Sequence, residues 1–175
     1  YIFKERMNDL LRDRTREMLT PDAEKIAICM VGLPGRGKSF IAQKLTLFLA
    51  WKGNKAKLFN VGDRRRELCG GSHQSADFFS KDNSNAAVLR EKMAEDVLSE
   101  MLHFFEAGGE VAIYDATNST KARRSKILAF CRTSSVPIRV VFVESICNDP
   151  TVLMHNIRFY LFYSYFSAVP LFLSV

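Results

Sequence analysis

Eight residues near the start of the chain have the types and the spacing that bind a phosphate chain. They read Gly32-Leu-Pro-Gly-Arg-Gly-Lys38-Ser39 and fit the pattern G-x-x-x-x-G-K-[ST]. Glycines let the backbone turn tightly, so that several N–H groups can point at one anion. Lys38 would supply a positive charge for the β- and γ-phosphates, and the Ser39 hydroxyl would bind Mg²⁺. The segment therefore predicts a nucleotide-binding site.

The residues on both sides of this segment give the motif the context that it needs. An apolar run predicts a strand over 25–31 that leads into the loop, and the spacing of Ile41, Leu45 and Phe48 predicts a helix over 38–51. A glycine-rich turn that arose by chance would lack both neighbours.

Three further predicted strands each lead into a cluster of polar residues. The strands are predicted at 56–61, 110–114 and 138–143, and the clusters at 60–66, 115–118 and 144–149. An aspartate that closes a buried strand beside a phosphate loop is more typical of a metal ligand or a base than of a surface charge, which favours a functional role for Asp115. The arginines at 64–66 could clamp a phosphate, because guanidinium groups pair bidentately with it. Their types alone do not decide which of them points inward.

The elements between these clusters must bring them together. Helices are predicted over 85–106 and 121–131, a polar loop over 62–84, and a helical extension over 1–24. Strands that alternate with helices predict an α/β fold of the P-loop NTPase type, with a parallel sheet and helices on both faces. Ligands of such sheets bind at the carboxyl ends of the strands, where all four polar segments should meet.

Composition limits the partners and the environment. A chain of 175 residues fits one domain, and a net charge of +6 suits an anionic partner such as a nucleotide or a phosphosugar. Four cysteines without a C-x-x-C pair predict a reduced, cytoplasmic protein.

Longer segments around the motifs resemble the kinase domain of the 6-phosphofructo-2-kinase/fructose-2,6-bisphosphatase family. The matching pieces are Gly-Leu-Pro-Gly-Arg-Gly-Lys-Ser (32–39), Phe-Asn-Val-Gly-Asp-Arg-Arg-Arg-Glu (59–67), Phe-Phe-Ser-Lys-Asp-Asn (78–83), Asp-Ala-Thr-Asn-Ser-Thr-Lys-Ala-Arg-Arg-Ser (115–125) and Glu-Ser-Ile-Cys-Asn-Asp-Pro (144–150). Many families share the first piece, whereas the last two together are specific to this one.

The resemblance implies roles for individual residues. The residues implied to bind ATP are Gly32, Leu33, Pro34, Gly35, Arg36, Gly37, Lys38, Ser39, Phe40 and Asn156. Those implied to bind fructose 6-phosphate are Arg65, Arg90, Thr117 and Arg123, with Lys38, Asp115 and Cys147 as catalytic residues. Ser39 and Asp115 would hold Mg²⁺. Phosphoryl transfer needs no thiol nucleophile, so Cys147 could line the site or only pack there.

The resemblance covers about 26–158 and then stops, which predicts a kinase domain over 25–158 that is incomplete at its C-terminus. The family would place a lysine for the ATP phosphates about where Leu161 stands. Residues 159–175 are predicted to be a divergent tail, since they are all uncharged. A membrane anchor is disfavoured, because 17 residues that include Pro170 fall short of the ~20 that a span needs.

Three functions are consistent with the sequence. The first is Mg²⁺-assisted transfer of the γ-phosphoryl group of ATP to the 2-hydroxyl of fructose 6-phosphate, weakened by the missing groups. The second is nucleotide binding with little turnover. The third is a polynucleotide 5′-kinase, which is disfavoured because no aromatic stacking platform for single-stranded nucleic acid is evident. The sequence predicts no nucleic-acid partner and leaves the oligomeric state open.

Overall fold

The computed structural model describes residues 25–68 and 84–166 of the chain. In chain order the elements are β1 (Lys25–Val31), α1 (Lys38–Trp51), β2 (Ala56–Asn60), α2 (Val61–Leu68), α3 (Ser84–Glu106), β3 (Val111–Asp115), α4 (Lys121–Cys131), β4 (Ile138–Glu144) and α5 (Pro150–Phe166). The predicted extension at 1–24, the segment 69–83 and the end of the predicted tail at 167–175 lie outside the described residues.

The four strands form one parallel sheet in the order β2-β3-β1-β4. The central strand β1 pairs with β3 on one side and with β4 on the other. The loop after β1 therefore lies between the turn after β3 and the segment after β4. This arrangement confirms the predicted α/β class and the predicted meeting of strand ends.

Alternate residues of a strand point to opposite faces of the sheet. Both faces carry buried apolar residues, and helices cover both. One core joins the sheet to α3 and α4: Ala27, Cys29, Phe59, Ala112 and Tyr114 with Val97, Leu98, Met101, Phe105 and Ile127. A second core joins it to α1: Met30, Val111 and Ile113 with Ala42. Within 25–68 and 84–166, no helix combines the length and the apolar character of a membrane span.

The predicted loop at 62–84 is wrong in its first part, because residues Val61–Leu68 form helix α2. The Asn60 side chain starts this helix by accepting hydrogen bonds from the backbone N–H groups of Gly62 at 2.8 Å and Asp63 at 3.2 Å. An asparagine in this position satisfies N–H groups that would otherwise lack a partner. Glycine has a low helix propensity, so Gly62 in the first turn makes this helix difficult to predict from the local sequence.

Candidate active site

The phosphate loop after β1 has the backbone shape of an anion cradle. Gly32, Gly35 and Gly37 have φ angles of +134°, +76° and +81°. Residues with a Cβ atom rarely adopt such φ angles, which explains why glycines occupy these three positions. Gly37 begins α1 without a side-chain cap, and the first turn of α1 holds no acidic residue. The N–H groups at this helix start therefore have no carboxylate of their own helix as a competitor for an anion.

Hydrogen bonds from three neighbouring segments fix this loop. They run from Gly32 N–H to the Thr117 carbonyl at 2.9 Å, from the Ser145 hydroxyl to the Arg36 carbonyl, from the Asn156 amide to the Gly35 carbonyl at 2.8 Å, and from the Arg36 guanidinium to the Asn148 amide oxygen at 3.2 Å. Asn156 thus contacts the loop backbone at the place where the resemblance implies an ATP contact. These bonds fix the loop backbone in this shape.

Lys38 and Asp115 lie buried at the base of the loop. Lys38 is 9% exposed and its Nζ donates to the Leu33 carbonyl at 2.7 Å. Burial lowers the pKa of the Lys38 amine, Asp115 opposes that change, and Arg36 adds to it. Burial also raises the pKa of the Asp115 carboxyl, while the Ser39 hydroxyl bound to it and the Lys38 charge act in the other direction. An ammonium, a hydroxyl and a carboxylate therefore meet at the phosphate loop.

The Ser39 hydroxyl and the Asp115 carboxylate fit the ligand preferences of Mg²⁺. They are hard oxygen donors in direct contact with one another. Across 25–68 and 84–158, no group of three or more His, Cys, Asp and Glu side chains could hold a metal by itself. That suits Mg²⁺, which is commonly held by one or two protein groups together with substrate phosphates.

Asn60 is a member of the site that the sequence analysis named only within a polar cluster. Its amide nitrogen donates to the Asp115 Oδ2 atom at 3.1 Å, while its amide oxygen caps α2. The signal was present, since an asparagine at the end of a strand is a common helix N-cap.

The three arginines of α2 have different surroundings. Arg64 pairs with Glu67 on its own helix and with Glu100 on α3. Arg66 pairs with Asp63, and its positive charge lowers the pKa of the Asp115 carboxyl. Arg65, which the resemblance links to the sugar phosphate, is half-buried between them. The arginine whose charge acts on Asp115 is therefore Arg66.

Arg123 lies on α4 and points to α3, where it donates to the Glu91 carboxylate at 3.0 Å. Lys126 donates to the same carboxylate at 2.6 Å, and this bond is the main reason that the pKa of Glu91 lies below its usual value. Arg90, half-buried on α3, precedes Glu91 in the chain. The structure thus places Arg123 at the junction of α3 and α4, and Arg90 next in sequence to its partner Glu91.

The turn after β3 is held by Asn118, a second residue that the sequence analysis named only within a polar cluster. Asn118 is fully buried, has a φ angle of +44°, and its amide nitrogen donates to the Met30 carbonyl at 2.8 Å. Arg124 donates to the carbonyl of the same residue at 3.0 Å. These bonds fix the end of β3 against β1, and with it Asp115 against the phosphate loop.

The remaining predicted residues lie around the rim of the loop. Leu33 and Phe40 are 51% and 65% exposed. The Thr117 side chain is exposed, and Cys147 is half-buried in the segment between β4 and α5. No described contact gives the Cys147 thiol a chemical task.

The parallel sheet and the glycine-rich loop after β1 define a P-loop α/β fold. The chain can be superposed on an APS kinase of Mycobacterium tuberculosis solved with AMPPNP and APS, with a TM-score of 0.57 over 84% of this chain and 77% of that one. The sequence identity is 14%, so this likeness concerns the fold.

The family model described as 6-phosphofructo-2-kinase matches residues 14–165, and the chain belongs to that family. A probable 6-phosphofructo-2-kinase of Schizosaccharomyces pombe is 46% identical over 144 residues, which cover 81% of this chain and 21% of that protein. A Saccharomyces cerevisiae protein named fructose-2,6-bisphosphatase is 41% identical over 77% of this chain and 29% of its own length. The resemblance inferred from the motifs is confirmed. The chain spans less than a third of these two relatives, and the division into 1–24, 25–158 and 159–175 stays a prediction.

Proposed function

We propose that this chain binds ATP with Mg²⁺ and transfers the γ-phosphoryl group to the 2-hydroxyl of fructose 6-phosphate. The observation that carries the proposal is the meeting of Lys38, Ser39 and Asp115 beneath a loop with three positive φ glycines. Phosphoryl transfer depends mainly on positioning and on neutralising charge, and these groups supply both. Membership of the 6-phosphofructo-2-kinase family supports fructose 6-phosphate as the acceptor.

Each residue has a task in this reaction. The loop N–H groups and Lys38 would hold the phosphate chain, so Lys38 would exchange the Leu33 carbonyl for phosphate oxygens. Mg²⁺ held near Ser39 and Asp115 would neutralise charge on the phosphates. As the 2-hydroxyl oxygen bonds to the γ-phosphorus, the bond to the β-phosphate oxygen breaks and ADP leaves. Asp115 would accept the hydroxyl proton, a role that burial assists by raising the pKa of its carboxyl.

The fructose 6-phosphate end would be bound by arginines of α2, α3 and α4. Arg65, Arg90, Arg123 and Thr117 are assigned to fructose 6-phosphate on the resemblance. The charge of Arg66, which reaches Asp115, would act closer to the transferring group.

Nucleotide binding with little turnover is the second candidate. Leu161 stands where the resemblance implies a lysine that contacts the ATP phosphates. The loss of one such donor costs on the order of 10²–10³ in rate. The Saccharomyces cerevisiae relative, which is 41% identical, is named a fructose-2,6-bisphosphatase, and its name mentions no kinase.

Calorimetric titration of the 175-residue chain with ATP and Mg²⁺, followed by an assay for fructose 2,6-bisphosphate, separates the candidates. We expect binding and a slow formation of product that Asp115→Asn abolishes while it leaves ATP affinity within a few-fold. Binding without product would favour the second candidate. Absence of ATP binding would exclude both, and phosphorylation of a polynucleotide 5′-end in place of the sugar would identify a different kinase.

A further inference from the structure

Asn60 and Asp115 form the last pair of the ladder between two neighbouring parallel strands. The Cα atoms of the two residues are partners in the register of β2 and β3. Their side chains therefore point to the same face of the sheet at its carboxyl edge. The amide nitrogen of Asn60 lies 3.1 Å from Asp115 Oδ2. The Ser39 hydroxyl bonds to the same carboxyl group.

The neighbours of the Asn60 amide fix its orientation. Gly62 and Asp63 present backbone N–H groups, which only donate, at 2.8 and 3.2 Å from the amide oxygen. The Asp115 carboxylate only accepts when it is ionised. A flipped amide would place nitrogen against two donors and oxygen against a carboxylate. One orientation therefore satisfies every partner.

We infer that Asn60 is a positioning residue that joins the reacting end of the site to its arginine end. Its N–H group holds Asp115 in the geometry that Mg²⁺ and the attacking hydroxyl require, and its oxygen fixes the first turn of the helix that carries Arg64–Arg66. This inference rests on the proposed function. Asn60 acts through its bonds to Asp115, Gly62 and Asp63.

The side-chain chemistry explains why asparagine serves this position. Serine offers an oxygen that caps a helix about as well, but it has no amide nitrogen for Asp115. Aspartate also caps well, but it would place a second carboxylate against Asp115. Alanine provides neither bond. The two tasks can thus be separated by substitution.

The test compares Asn60→Ser and Asn60→Ala with the parent chain. A matched control is Asn54→Ser, which makes the same change just before the other end of β2. Three quantities are measured: the melting temperature, the affinity for ATP with and without Mg²⁺, and kcat and KM for fructose 6-phosphate. The first two need no turnover.

Asn60→Ser should melt close to the parent, because the cap remains. Mg²⁺ should raise the ATP affinity of this variant roughly 10–100-fold less than it raises that of the parent. Outer groups that orient a metal ligand have effects of that size. Its kcat should fall while KM for fructose 6-phosphate stays within a few-fold. Asn60→Ala should lose the same Mg²⁺ effect, melt roughly 2–4 °C lower and show a raised KM for the sugar phosphate.

A parent-like Mg²⁺ effect and kcat in Asn60→Ser would overturn the inference, and so would equal changes in Asn54→Ser. If the parent chain binds ATP and Mg²⁺ but either of these results is found for the variants, the inference fails and the proposed function stands. A parent chain that bound no ATP would remove the proposed function and the inference together.

Discussion

The phosphate loop and the arginine-bearing surface, formed by Arg64, Arg66 and Arg123, meet the solvent at one edge of the sheet, but their polar groups have different partners. The loop is held through its carbonyl groups and the N–H group of Gly32, and the first turn of α1 holds no acidic residue. Each of the three arginines already pairs with a carboxylate of this chain.

This difference implies two modes of ligand binding. A phosphate chain can enter the loop at little cost in reorganisation, because the backbone is preformed. Under the proposed function, a sugar phosphate would have to compete with the chain's own carboxylates for any of these three arginines that it uses. We therefore expect changes in the loop to act on nucleotide binding directly, and changes in the arginines to act in smaller steps.

The largest effect should come from Lys38→Ala, which removes the buried ammonium of the loop. We expect a loss on the order of 10²–10³ in turnover, with weaker ATP binding, because charge on the transferring group loses a preorganised donor. Lys52→Ala removes an exposed lysine at the other end of α1 and should leave both quantities unchanged. Equal ATP affinity and turnover in Lys38→Ala and the parent would contradict the loop assignment.

Gly32→Ala tests whether the loop depends on its backbone shape. A Cβ atom there would lie 2.7 Å from the Ser145 carbonyl oxygen, in a backbone with φ +134°. Gly53→Ala is the matched control, because Gly53 also has a positive φ, +90°, but open space around it. Denaturant unfolding should give a loss of about 1 kcal/mol for the control and roughly 2–4 kcal/mol for Gly32→Ala.

ATP affinity should fall only in the Gly32 variant of that pair. Equal losses of stability in the two variants would mean that the loop yields to the added methyl group. The loop would then be no more rigid than an ordinary turn.

Arg65→Ala and Arg66→Ala test whether two neighbouring arginines of α2 have different roles. If Arg65 binds the 6-phosphate, its loss should raise KM for fructose 6-phosphate by an amount equivalent to about 1.5–3 kcal/mol and leave kcat nearly unchanged. Arg66→Ala should instead lower kcat, since its charge acts on Asp115. Arg132→Ala at the end of α4 serves as the control. A reversed pattern would assign the sugar phosphate to Arg66.

The smallest effect should come from Glu91→Gln, which leaves Arg123 and Lys126 without their shared carboxylate. The Glu91 side chain is 40% exposed, so solvent screening limits the expected loss to about 0.5–1 kcal/mol at neutral pH. The pKa of Glu91 lies below its unfolded value of 4.5, so its contribution is present above that pH and is lost as the pH falls through the folded pKa. Unfolding of parent and variant at pH 7 and pH 3 should give a difference that shrinks in acid. A difference that is constant with pH would exclude this ion pair as the cause.

Much of the fold could be predicted because its signals are local. The strand over 25–31 and the helix over 121–131 have the bounds that the apolar pattern predicts. Helix α2 could not, because a glycine lies in its first turn and its stability depends on the Asn60 cap and on packing against α3. The predicted strand end at 61 was one residue too long for the same reason.

For the candidate site, local sequence patterns were enough to predict the phosphate loop and the position of Asp115 beside it. A glycine pattern is read along the chain, and the parallel-sheet rule brings strand ends to one edge whatever the register. Three contacts could be found only from the folded chain: Asn60 faces Asp115, the charge of Arg66 reaches Asp115, and Arg123 pairs with Glu91. These contacts join residues far apart in sequence. They depend on strand register and helix rotation, which the packing of the whole sheet sets and no local pattern records.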